Sequence, residues 1–458
     1  TKLFNISVGT VPYTFSKTED FTYIPSKMHN FSIKVDKKAH DGTYVFTLIS
    51  ESITAWENDP VSHNATAKEY IVIDSKAGQL KECITAAKKD FRKVQNLKIT
   101  GEINAIDFYF MRDSMDKLQA LNLKEVIIKG IKHDNDWGDA AGADNRIPTM
   151  ALNHKYSLLR IVLPDNLKII GQAAFDDCIN LSGSLIIPEG VTHIEASAFC
   201  YCFSLTGKLQ LPSTLEYIGG GGASLGLGAF NECGFVSEIK LPSKVKYIGV
   251  NAFSGCHGLY GELHLPNNLS YIGTNAFLNC KNLTGSITIP QNLTIIGEAA
   301  FQGCNFNGIL SLHDGITSIG RSAFAGNPLK GELHLPKELT IISNNAFSGC
   351  DFSGELKLPT KISVIGDNAF ANNWRLMGVL EIPENVQSIG AGASANCRNL
   401  EGIIFPAGLE NIRYEASWGD NGGAFANCFG IGSIVCKGTI PPHVQSGAFN
   451  GVAKDNFT

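Results

Sequence analysis

Apolar and polar positions along this chain fall into two regimes. From about residue 158 onward the order Leu-x-Leu-Pro-x-x-Leu-x-x-Ile-Gly-x-x-Ala-Phe-x-x-Cys-x-x-Leu-x-Gly recurs. Its proline position falls at Pro164, Pro188, Pro212, Pro242, Pro266, Pro290, His313, Pro336, Pro359, Pro383 and Pro406, at intervals of 23 or 24 residues with one of 30. An Ala-Phe pair keeps step through Phe175, Phe199, Phe230, Phe253, Phe277, Phe301, Phe324, Phe347, Phe370, Phe425 and Phe449, and Ser394 breaks it. A unit this short cannot bury its own apolar face. Copies stacked on one another bury a continuous one-dimensional core.

Within the unit, the alternation Glu262, Leu263, His264, Leu265, Pro266 predicts a short strand with Leu263 and Leu265 inward. Proline ends the strand where its missing N–H costs no ladder bond. Glycine after the isoleucine is expected to make a turn with positive φ. Rungs about 4.8 Å apart then predict a parallel sheet about 50 Å long. The expected fold is mainly β, a solenoid of 23–24 residue units over 158–458.

The first part of the chain does not follow this period. Residues 31–36, 44–49 and 70–74 alternate like strands between turn signals such as Asp41-Gly42. They predict a small β-sandwich over 1–76, Ig-like or similar. Residues 97–101 and 126–130 read as strands bracketing a helical stretch at 105–121. This 77–157 segment is expected to be an irregular α/β cap that shields the solenoid's open edge. Gly447, Ala448 and Phe449 begin another unit that Thr458 leaves incomplete, so either a longer chain or an irregular tail is expected to cover that end. The sequence opens at Thr1 without an apolar leader, and any signal or anchor segment is expected to lie outside it.

The unit resembles the leucine-rich repeat of the BspA-like class, known from bacterial surface proteins, and the resemblance covers about 300 residues. It implies a surface or secreted adhesin that binds host proteins or other cells without catalysis. The segment before the repeats is similar to leading segments of such proteins in gut bacteria.

Composition narrows the picture further. Hydrophobic residues are 44% and charged residues 18%, so core material is ample. With 38 basic against 43 acidic residues, the net charge of −5 argues against a nucleic-acid or polybasic membrane partner. No apolar run reaches the roughly 20 residues needed to span a bilayer.

Chemistry-bearing residues are sparse. Nine of the 12 cysteines occupy one repeat position: Cys178, Cys202, Cys233, Cys256, Cys280, Cys304, Cys350, Cys397 and Cys428, with Asn327 and Asn373 standing in twice. Small inward side chains bonding backbone are expected there, as reduced thiols, rather than a disulfide ladder or metal array. Cys200 and Cys202 lack zinc spacing. Gly392-Ala-Ser394-Ala-Asn396 falls one glycine short of a nucleophile elbow. The glycines of 219–228 are read as a bulging loop, since no Lys-Ser/Thr follows to complete a phosphate cradle. Asp134, Asp136, Asp139 and Asp144 surround Trp137-Gly138, where a solvated loop competes with a Ca²⁺ site that lacks its closing glutamate. No catalytic residue, cofactor or metal is assigned.

Two columns are candidate contact surfaces. On the outward strand positions, Glu262 with His264 and Glu332 with His334 look like metal pairs, yet stand about three rungs, or 14 Å, apart. A mixed-charge solvated ribbon is the competing reading. Before the isoleucine, Tyr217, Tyr247 and Tyr271 follow His193 on successive units, then Ile295 and Ser318. An aromatic stack there suits a protein or sugar partner, against packing along the solenoid flank as the alternative. The expected function is non-catalytic binding or adhesion to a protein. Glycan capture and a structural stalk are the alternatives.

Overall fold

The structure, a computed structural model, describes residues 2–8, 11–16, 27–37 and 44–55 by backbone, and residues 70–131, 142–220, 227–417 and 422–452 with side chains. It divides into one unit at Thr1–Ala67 and another at Lys68–Thr458. In the first, strands β1 (Lys2–Val8) and β2 (Val11–Ser16) pair antiparallel. Strands β3 (Lys27–Lys37) and β4 (Tyr44–Ala55) do the same, with a bulge at Ser32/Ile33. They contain the alternating runs 31–36 and 44–49. The sandwich expected over 1–76 reaches beyond the described residues.

The third alternating run belongs elsewhere. Strand β5 (Ile71–Ser75) pairs in parallel with β6 (Asn96–Ile103), which pairs with β7 (Ala120–Ile128) and then with Arg160–Val162. The run 70–74, expected within 1–76, thus belongs to the unit Lys68–Thr458. Alternation identifies a strand but not its partner, and buried Ile73 joins the solenoid's apolar core.

Between these strands sit α1 (Leu80–Ala86), which periodicity did not reveal, and α2 (Ala105–Ser114). The helix expected over 105–121 is shorter because Ala120 already opens β7. Asn104 caps α2 by accepting from the Ile106 N–H at 3.0 Å, while buried Asp107 accepts from Asn104 N–H at 2.9 Å. The same carboxylate takes the N–H groups of Gly78 at 2.7 Å and Leu80 at 2.9 Å. One side chain thus secures the starts of both helices.

Each solenoid turn runs through a two-residue strand, ending in isoleucine in all but the last, a Leu-x-Leu segment and a chain of tight turns. The proline carbonyl accepts from the N–H three residues on, as from Leu269 to Pro266 at 2.9 Å. The Ala-Phe segment bonds the next rung, with Phe277 N–H donating to the Ala300 carbonyl at 2.8 Å. Phenylalanine rings stack from Phe175 to Phe370 with centroids 5.0 to 5.8 Å apart. Ser394 interrupts the rings but not the backbone, since its N–H still donates to the Ala424 carbonyl at 2.8 Å.

Two expectations about the repeat need correction. The Leu-x-Leu strands form only broken pieces through the middle of the solenoid, whereas the two-residue strands ending in isoleucine build the long ladders. An eight-stranded sheet runs from Arg146–Ile147 to Ser318–Ile319, and a five-stranded one from Ile341–Ile342 to His443–Val444. Alternation reports burial, while a flanking glycine and proline leave few residues free to pair. The glycine after isoleucine is likewise not in a positive-φ turn. A Cβ on Gly273 would sit 2.5 Å from the Val250 nitrogen of the preceding rung, and on Gly297 2.6 Å from the Gly273 carbonyl carbon. Close stacking of turns demands it. Positive φ falls instead at positions such as Asn251, Asn275, Asn345 and Asn368, where asparagine tolerates the left-handed region.

Candidate functional site

The cysteine column carries structure, not chemistry. Each thiol donates to a main-chain carbonyl one turn back, at the position the phenylalanine ladder usually fills, as Cys256 to Phe230 at 2.9 Å, with Leu152 accepting from Cys178 at 3.1 Å and Ser394 from Cys428 at 3.0 Å. Asn327 reaches two such carbonyls, Phe301 at 2.7 Å and Phe324 at 2.9 Å. All cysteines are free thiols, and burial raises the pKa of this column. Ser394, the residue of the near-elbow motif, is buried within the stack at 3% exposure.

The glycine-rich insertion closes at its neck through an antiparallel bridge between Gly220 and Gly228. A Cβ on either would overlap the next turn, meeting Val250 O at 1.8 Å and Asn251 O at 2.0 Å. These glycines serve close approach. Residues 221–226, at the insertion's centre, lie outside the described residues, as do Asp134, Asp136 and Asp139. Asp144 is occupied by the Gly130 N–H at 2.8 Å.

The outward Glu/His pairs form within single rungs. Glu262 Oε2 lies 3.8 Å from His264 Nε2, and Glu332 Oε2 lies 3.7 Å from His334 Nε2, all four side chains well exposed. Lys240 with Glu238 and Lys357 with Glu355 repeat the same geometry. Among the described residues no group of three or more His, Cys, Asp or Glu could hold a metal ion. The metal-like appearance of these pairs is not met by a third ligand. They make a mixed-charge ribbon.

The tyrosines behave differently. Tyr217, Tyr247 and Tyr271 occupy consecutive strands of the eight-stranded sheet, paired residue to residue in parallel register. Their rings stack at 4.5 Å and 4.4 Å between centroids, with interplanar angles of 11° and 5°. His193 extends the row, its ring 5.5 Å from Tyr217. Tyr217 and Tyr247 are half-buried and Tyr271 is exposed. Burial, then the neighbouring phenols, holds the Tyr247 hydroxyl well above the usual tyrosine range. Exposed Ile295, Ile341 and Val364 continue the column along the two ladders. A Glu216 to Lys246 ion pair at 2.7 Å flanks the stack. The tyrosines and the Glu/His pairs belong to different ladders, so the structure does not bring the two candidate surfaces into one site.

Sequence reasoning passed over a third surface, around Trp374, Arg398 and Phe429, whose exposure no repeat pattern reveals. The available signal was two aromatics and an arginine one residue after the Cys/Asn column.

Residues 145–222, 223–353 and 331–454 match the BspA type Leucine rich repeat region, together more than half of the chain. Among solved structures, a leucine-rich repeat protein from Bacteroides ovatus is 24% identical over 63% of this chain and 81% of its own, with a TM-score of 0.39. A leucine rich cell surface protein from Faecalibacterium prausnitzii is 20% identical over 91% and 96%, with a TM-score of 0.35. A leucine-rich repeat protein from Eubacterium ventriosum is 16% identical over 78% and 90%, with a TM-score of 0.39. No curated protein matches the chain. Among the described residues no helix is long and apolar enough to cross a membrane.

Proposed function

The chain belongs to the BspA type leucine-rich repeat family, and from that premise we infer that it is a non-catalytic surface or secreted protein that binds another protein. The observation that carries this reading is the aromatic row of Tyr217, Tyr247 and Tyr271, continued by exposed Ile295, on a flat parallel sheet. Aromatic residues on a rigid support give large contact area at low conformational cost.

The geometry favours a protein over a sugar. A sugar stacks on the face of an aromatic ring, but here the faces are spent on one another at 4.4 to 4.5 Å. What remains toward solvent is mainly ring edges, since Ile295 stands on the next strand beside Tyr271. Edges and hydroxyls suit the mixed apolar and polar surface of a protein. Glycan capture remains the second reading, supported by the aromatic content alone.

The test is a triple Tyr217→Ser, Tyr247→Ser, Tyr271→Ser variant, serine already standing in this column at Ser318. Parent and variant are probed against a panel of purified ectodomains and matrix proteins, and against a glycan array. Protein binding should weaken at least tenfold, about 1.4 kcal/mol, with only a small loss of thermal stability. Unchanged protein binding in the variant would remove the tyrosine row from the site. Binding confined to glycans and lost in the variant would favour the second reading.

A further inference from the structure

At the C-terminal end of the solenoid the Leu-x-Leu strands stop being fragments. Ser353–Glu355, Arg375–Glu381, Asn399–Phe405 and Ser433–Cys436 form a continuous four-stranded parallel sheet. Two of these strands reach seven residues, where the strands on this side through the middle of the solenoid, from Leu185–Ile186 to Leu310–Ser311, have two or three. The outward face sets three exposed apolar side chains, Met377 at 45%, Val379 at 46% and Val435 at 51%, among charged ones such as Arg375, Glu381 and Glu401.

Both ends of this face carry specific chemistry. Where the strands begin, the Arg398 guanidinium lies over the Trp374 ring at 5.7 Å and over the Phe429 ring at 5.8 Å. Trp374 and Phe429 remain 56% and 52% exposed, so the sandwich stands in solvent. Arg375 is paired with Asp351 at 3.1 Å, whereas Arg398 has no carboxylate partner among the described residues. A rigidified, uncompensated arginine between two exposed aromatics is the composition of an interface hot spot.

Where the strands end, Val379, Glu381, Pro383 and Glu384 line a cavity of about 430 Å³ together with Glu355 and Lys437. Lys437 reaches in from the last strand and places its ammonium 2.9 Å from Glu381 and 3.0 Å from Glu384. The carboxylate pair already holds a primary ammonium, and does so at the surface, where such a contact is weak and exchangeable. The strand Arg375–Glu381 that joins the two ends is about 20 Å long at about 3.3 Å per residue. Glu401 stands exposed between them.

We propose that this sheet face is a second binding site, for an extended polypeptide segment of about seven residues carrying an acidic side chain at one end and a lysine or arginine at the other. The acid pairs with Arg398 between Trp374 and Phe429. Apolar residues lie over Met377, Val379 and Val435. The base enters the Glu381 and Glu384 pair in place of Lys437. Glu401 disfavours an acid in the middle, while Arg398 at one end and the Glu381 and Glu384 pair at the other set which charge each end of the segment carries. The site rests on the reading of the chain as a protein binder but uses a face other than the tyrosine row.

Selection from a displayed library of random linear 12-residue peptides tests this, using the whole chain as bait and the Trp374→Ala, Arg398→Ala double variant for counter-selection. Enriched peptides should carry Asp or Glu, an apolar-rich middle, and Lys or Arg about six residues away. Synthetic copies should bind the parent at least tenfold more tightly than the double variant. Replacing the peptide's acid by lysine, or its base by glutamate, should weaken binding to the parent at least tenfold, and Arg398→Glu should favour a base at that end. Lys437→Ala, which vacates the carboxylate pair, should tighten binding severalfold. Enrichment without this charge order, equal binding to the double variant, or weaker binding to Lys437→Ala would each overturn the proposal. The triple tyrosine variant should bind these peptides as the parent does. Loss there would overturn a separate site, whereas failure of the tyrosine reading alone would leave these peptide affinities untouched.

Discussion

A buried cysteine whose thiol donates to a carbonyl does the work of a small polar hinge pin, and asparagine can replace it because it donates to the same atom. Cys304 bonds the Phe277 carbonyl at 3.1 Å, and Asn373 bonds the Phe347 carbonyl at 2.8 Å. Burial pushes the thiols of Cys178, Cys256, Cys304 and Cys428 up to about 12, far from the thiolate needed for nucleophilic or redox chemistry. Exposed Cys436 and half-buried Cys83 lie outside this column. Iodoacetamide at neutral pH should therefore alkylate Cys436 rapidly, Cys83 more slowly and the column hardly at all. After denaturation without reductant, most of the 12 cysteines in the sequence should react. Fewer than half reacting would mean disulfides; rapid labelling of the column in the folded protein would mean that its turns open easily.

At the scale of the element, Asp107 shows how one carboxylate can organise a region. It receives three N–H groups, from Gly78, Leu80 and Asn104, in a site where desolvation opposes its charge and raises its pKa. Asp107→Ala strands three donors at the starts of α1 and α2 and should cost about 3 kcal/mol or more in urea unfolding. Asp107→Asn, which keeps one acceptor oxygen, should lose less. Amide exchange should quicken first within residues 78–128, and protection unchanged there would show that the helices are held by packing alone. This junction was hard to foresee in the sequence. Asn104 and Asp107 spell a capping signal, yet α1 has only two buried residues, Leu80 and Ile84, too few to establish a period. The solenoid was legible because every rung repeats the same demand, from the phenylalanine stack to the cysteine column. Glycine after isoleucine was visible as a pattern, but its cause was not, since clearance between turns depends on neighbours 23 or 24 residues away. The tyrosine row could be read because its rungs are in register. The Trp374, Arg398 and Phe429 sandwich left only a faint signal, one residue after the Cys/Asn column on three turns, because nothing in the repeat pattern tells whether that position is exposed.

Taken as a whole, the repeat unit is a linear stack whose stability is set by each turn and its two neighbours. Phe277 shows the interior case, its ring 5.2 Å from Phe253 and 5.8 Å from Phe301, fully buried. Phe449 shows the other, with Phe425 at 5.3 Å as its one ring neighbour among the described residues and its side chain only partly buried. Truncating an interior ring removes transfer free energy and opens a cavity that two flanking turns cannot both close. Phe277→Ala should therefore cost about 3–5 kcal/mol. Phe449→Ala removes a ring that is only partly buried and has one ring neighbour among the described residues, and should cost at most about half as much. The shape of the unfolding transition should differ as well. Loss at Phe277 divides the stack and should broaden the chemical unfolding transition, as two shorter runs separate in stability. Loss at Phe449 should fray one end and leave the main transition sharp. Circular dichroism and site-resolved hydrogen exchange on both variants measure these effects. Equal destabilisation with equally sharp transitions would contradict a nearest-neighbour stack and require coupling that spans many turns at once.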